Sequence, residues 1–108
     1  MNIFDDSLSG RPENILPSVR RKLSAYTRSD RVNNFKIGIT SDPVRRFQRA
    51  YAGLYDEMIL LYRSLSINSV SVLECDLILH NWAIADNLNA GGGGRIGIPP
   101  YFLYVVTR

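Results

Sequence analysis

Cysteine is the first scarcity. Cys75 stands alone among 108 residues, so no disulfide can form within the chain, and a small cross-linked secreted fold is excluded. Long apolar runs are missing too. Stretches such as MILLY and YFLYVV fall well short of the ~20 residues that a bilayer-crossing helix needs. The opening MNIFDDSLSG is acidic and polar, unlike a secretory leader. Together these absences predict a protein of a reducing, cytoplasmic compartment with no membrane attachment. Histidine is equally scarce, and the single His80 excludes a histidine-based metal cage. The run GGGG at 91–94 lacks the Lys-Ser/Thr that completes a phosphate-binding P-loop, so it reads as a hinge or turn.

What is present is an ordinary globular balance, with 45% hydrophobic and 21% charged residues. The length suits one domain with one modest core. Residues 1–14 read as a loose N-terminal arm and 15–108 as the domain. The net charge is +3, and nine of the thirteen basic residues fall between Arg20 and Arg49. Such a stretch is either a solvated basic surface or a surface that attracts a polyanion.

Apolar residues at Ile15, Val19, Leu23 and Tyr26 predict a helix whose other face carries Arg20, Arg21, Lys22 and Arg28. FKIGIT alternates as a strand, with Phe35, Ile37 and Ile39 on one face and Lys36, Gly38 and Thr40 on the other. Asp42 before Pro43 is a helix-start signal. The helix that follows should bury Val44, Phe47 and Tyr51 and expose Arg45, Arg46 and Arg49. EMILLYRSL has strand character, residues 67–88 form the longest periodic helix, and PPYFLYVVTR ends in a strand.

On the long helix Leu73, Leu77, Ile84, Val70, Ile78, Ala85 and Trp82 define a broad apolar face. Glu74 lies near its middle, while Asp76 and His80 lie on the other side. An unpartnered carboxylate there is costly, on the order of several kcal/mol. Glu74 is therefore in a structural salt bridge, at an edge that reaches water, or at the floor of a cleft binding a hard divalent metal. Mg²⁺ is commonly held by one or two carboxylates, with waters and substrate phosphate completing its shell.

Lys36-Ile37-Gly38, the basic Arg46 ten positions after Lys36, the helical Glu74, and Asn89 just before a glycine run resemble the GIY-YIG nuclease domain. The resemblance spans residues 35 to about 92. That family normally begins with a strand bearing G-I-Y just upstream of the second motif, and none precedes Phe35 here. The terminal strand has the matching aromatic and β-branched character. The resemblance thus implies a circularly permuted arrangement in which Tyr104, or else Tyr101, stands for the first-motif tyrosine; simple packing of these tyrosines is the alternative.

The implied fold is α+β, a small three-stranded antiparallel sheet flanked by helices. The implied activity is hydrolysis of a DNA phosphodiester by an endonuclease using one Mg²⁺ or Mn²⁺ held by Glu74. Arg46 would clamp the phosphate, Tyr104 would orient or deprotonate water, and Lys36 would act as base or second clamp. Arg45, Arg49, Tyr51, Asn89 and Tyr101 would contact substrate, although Asn89 also suits a helix cap. The alternatives are a catalytically silent nucleic-acid-binding module and a protein-interaction module on the same scaffold. Homodimer formation stays open.

Overall fold

The computed structural model describes residues 2–28, 30–81 and 97–108. It is an α+β fold with a four-stranded mixed sheet. Strand β1 spans Ile3–Leu8, helix α1 Pro12–Thr27 and strand β2 Phe35–Thr40. Helix α2, Pro43–Arg46, continues into a π-helical turn, Phe47–Tyr51. Strand β3 (Glu57–Ser64), helix α3 (Ile67–His80) and strand β4 (Tyr101–Thr107) follow. The strand order is β1-β3-β4-β2, so the last strand lies between two earlier ones. It runs antiparallel to both β2 and β3.

The sheet departs from the expected three antiparallel strands by one parallel edge strand, β1, which pairs with β3. Its residues were expected to be a loose arm. The strand was hidden because most of it is exposed or half-buried, with Asp5 and Asp6 at its centre. Those acids are also what holds it. Asp6 accepts a hydrogen bond from Tyr26 Oη at 2.7 Å and pairs with Lys22 Nζ at 2.8 Å, both from α1. α1 itself starts at Pro12, a residue suited to a first helical position, rather than at Ile15.

Alternation along the strands sorts two apolar layers. Phe35, Ile37, Ile39, Leu103 and Val105 point to the face covered by α1 and α3, meeting Val19, Leu23, Val70, Leu73 and Leu77. Met58, Leu60, Tyr104 and Val106 point to the other face and meet Phe47 and Tyr51. The sequence spacing placed Phe47 and Tyr51 correctly, but Val44 is 47% exposed rather than buried. Asp76 lies off the apolar face as expected and makes a two-point pair with Arg20, at 2.9 and 2.7 Å. His80 is exposed. Trp82, Ile84, Ala85, Asn89 and the run 91–94 lie outside the described residues. No helix among the described residues is long and apolar enough to cross a membrane.

Candidate functional site

The site begins at the end of β2. Thr40 Oγ1 accepts the Asp42 amide at 3.0 Å, and Asp42 Oδ1 accepts the Arg45 amide at 3.1 Å. These two bonds, with Pro43 at the first turn, turn the chain sharply out of the strand and into α2. Arg45 and Arg49 emerge exposed, whereas Arg46 is half-buried. One turn later the Ala52 amide bonds to the Phe47 carbonyl at 2.8 Å, an i→i+5 closure. This wider turn sets the direction of Tyr51, which is buried with Phe47 against the sheet.

Tyr51 meets Tyr104 at the centre of that face. Their hydroxyls are 2.5 Å apart and their rings pack edge to face at 5.7 Å. Tyr104 stands opposite Gly38 in the β2–β4 register. A Cβ at position 38 would collide with the Tyr104 hydroxyl and ring, so only glycine leaves room for the phenol to lie across β2. Lys36 Nζ lies 5.9 Å from the centre of the Tyr51 ring, a loose cation–π arrangement on the same face.

Glu74 comes from α3 and is only 3% exposed. Burial pushes its carboxyl up to about 7, opposed by the nearby Arg46 guanidinium. Tyr104 is held well above the ordinary phenol range. Burial is the largest cause, followed by Tyr51, while Arg46 pulls the other way and Glu74 adds to the rise. Arg46, Glu74 and Tyr104 therefore share one electrostatic neighbourhood, although α2 and α3 pack on opposite faces of the sheet. β2 itself is an edge strand. Lys36 contributes to the shift of neither Glu74 nor Tyr104. Burial and the adjoining Tyr51 thus disfavour the phenolate form of Tyr104.

The basic run between Arg20 and Arg49 is divided by the fold. Arg20 and Lys22 are neutralised by Asp76 and Asp6. Arg45, Arg46 and Arg49 instead line one open cleft of about 590 Å³, together with Thr40, Ser41, Asp42, Ala50, Gly97 and Ile98. Tyr101 is not brought to Tyr104. It faces the α1/α3 layer, and its hydroxyl donates to the Gly97 carbonyl at 3.2 Å. Asn89 lies outside the described residues.

Among the described residues no three His, Cys, Asp or Glu side chains form a metal cage. Glu74 offers a single hard oxygen donor, a set that fits Mg²⁺ or Mn²⁺ only where water and phosphate oxygens complete the shell. Sequence reasoning missed three features: the Tyr51–Tyr104 bond, the bond from the Asp42 amide to Thr40, and Ile98 on the cleft rim. Ile98-Pro99-Pro100 carried a usable signal, because two prolines cannot donate to a sheet ladder and so leave an apolar residue outside it.

The tyrosine pair yields a direct expectation. Tyr51→Phe or Tyr104→Phe alone strands a buried hydroxyl and should destabilise the fold by about 1–3 kcal/mol. Removing both should cost markedly less than the sum, and a urea-denaturation double-mutant cycle measures the difference. Additive losses would mean that the two hydroxyls do not depend on each other.

Comparison of the chain with protein-family models, with curated proteins and with solved structures finds no match.

Proposed function

We propose that this chain is a metal-dependent DNA endonuclease built as a circularly permuted relative of the GIY-YIG nucleases. The observation that carries this is the shared electrostatic neighbourhood of Arg46, Glu74 and Tyr104, three groups from three separate elements. Further support comes from β4 pairing with the KIG strand, where a first-motif strand would lie, with Tyr104 opposite Gly38.

Each group has a task suited to its chemistry. Arg46 presents a planar fork of donors to the scissile phosphate, and its charge is worth most as negative charge builds on the phosphoryl oxygens. Tyr104 would orient the attacking water or a phosphate oxygen once its hydroxyl, buried beside Tyr51, is uncovered. Tyr51 holds the Tyr104 hydroxyl in place. Lys36 supplies a second cation beside Tyr51, as phosphate clamp or as base. Glu74 would hold Mg²⁺ or Mn²⁺, which supplies Lewis-acid polarisation of the phosphoryl group and stabilises the leaving oxygen.

A second reading rests on one observation. Glu74 is almost fully buried, and burial disfavours its ionised form. That favours a nucleic-acid-binding module in which the acid is structural and the arginines of the cleft do the binding.

The test is cleavage of labelled single- and double-stranded DNA, with Mg²⁺ and with a chelator, by the wild type and by Glu74→Gln and Arg46→Ala. Metal-dependent cutting reduced about a hundredfold or more in both variants is the expected outcome. Salt-sensitive binding without cutting assigns the chain to the second reading. Cutting that survives both substitutions removes this site from the chemistry.

A further inference from the structure

The cleft beside the site has two chemically different walls. One wall is Arg45, Arg46 and Arg49 on α2 and its π-turn; the cleft is also lined by Ile98, next to the capping loop. Ile98 is 79% exposed, the highest value among the exposed large hydrophobic side chains of the described residues. Pro99 and Pro100 after it are exposed as well, so the three residues form a short apolar ridge.

The ridge has fixed anchors. Gly97 has φ +87°, in the left-handed region, and a Cβ there would come within 2.9 Å of Ser41 Oγ. Glycine thus lets the 97–100 segment press against the loop that caps α2. The Gly97 carbonyl also accepts the Tyr101 hydroxyl, tying the ridge to β4. Ile98 belongs to neither apolar cluster of the described residues.

We propose that Ile98 is a wedge that packs against or into a base step of duplex DNA, next to backbone phosphates held by Arg45 and Arg49. This rests on the nucleic-acid reading of the arginine cleft but not on its chemistry. The charge of the cleft selects a polyanion. Proteins that take single strands commonly stack bases on aromatic rings, and among the described residues no aromatic side chain lines this cleft. Aliphatic and proline wedges are the devices that unstack a duplex step and bend it. Arg45 and Arg49, four positions apart and both exposed, would reach neighbouring phosphates of one backbone. Unstacking beside the scissile phosphate would open the strand toward Arg46.

The experiment uses the whole chain in a chelator, so that no cleavage intervenes. The probe is a duplex oligonucleotide carrying 2-aminopurine, whose fluorescence rises on unstacking, with anisotropy reporting binding. Wild type should raise the fluorescence on binding. Ile98→Ala should abolish the rise and weaken binding by roughly tenfold. Arg45→Gln and Arg49→Gln should each lower the slope of log affinity against log salt by about 1 and leave the rise intact at saturation. A rise unchanged in Ile98→Ala, or absent in wild type at saturation, overturns the wedge. Preference for the single strand, with no duplex binding, overturns it as well.

These outcomes separate from those of the nuclease reading. Unstacking without metal-dependent cutting keeps the wedge and removes the chemistry. Cutting without unstacking does the reverse.

Discussion

On the proposed nuclease reading, Glu74→Gln is expected to lower metal-dependent cleavage by about a hundredfold or more, while making the folded chain more resistant to urea at pH 8. The two effects have one origin. The Glu74 carboxylate is 3% exposed and disfavoured by burial, with only partial relief from Arg46. Glutamine keeps the shape and removes the charge.

The pH dependence follows from the raised folded value. In the unfolded chain the acid ionises near 4.5, and in the folded chain near 7. Between these values the unfolded state holds fewer protons than the folded state, so stability falls as pH rises. Below about pH 4.5 both states are protonated, and the wild type and the glutamine variant should be alike in this respect. The gap should open between the two values and be complete above pH 7, reaching at most about 3 kcal/mol in favour of glutamine. Urea midpoints of both proteins from pH 4 to pH 8.5 would measure it. A glutamine variant that is less stable at pH 8 would show that compensating donors hold the carboxylate, and the account of a strained buried acid would fail.

Gly38→Ala is expected to produce the largest loss of stability from adding a single carbon. The new methyl would overlap the Tyr104 hydroxyl and ring carbon. A long flexible side chain could move aside, but Tyr104 is 1% exposed, packed edge to face on Tyr51, and hydrogen-bonded to it. Over-packing of this kind typically costs about 1–3 kcal/mol, and loss of the tyrosine hydrogen bond would add to it. Tyr104→Phe in the same chain should recover part of the loss, because the hydroxyl is one of the clashing groups. Thermal or urea unfolding of the two single variants and the double variant would test this coupling. A Gly38→Ala protein as stable as wild type would mean that the ring shifts freely, and with it the geometry assigned to the site.

Much of this site was readable because it depends on local rules. The alternation of FKIGIT identified β2 to the residue, and Asp42-Pro43 identified the start of α2. The helical wheel placed Glu74 in an apolar face, and the structure buries it there. The rest depends on distant partners. β1 looks like a polar arm until β3 supplies its ladder and α1 supplies Tyr26 and Lys22 for Asp6. Arg20 and Lys22 look as available as Arg45 and Arg49 until the fold brings Asp76 and Asp6 against them. The π-turn has no local mark in FQRAY, and Val44, predicted to be buried, emerges exposed just before it. Gly38 was seen as part of a motif, but its physical duty appears only once Tyr104 lies opposite.

The sheet is completed from its middle by the last strand to be made. β2 and β3 do not pair with each other; both wait for Tyr101–Thr107. On the ribosome, therefore, the earlier segments can form helices and a β1–β3 pair but no continuous sheet until β4 has cleared the exit tunnel. Closure then joins residues far apart along the chain, a high-contact-order step that slows folding and leaves the inner edges of β2 and β3 open to wrong partners in the interval.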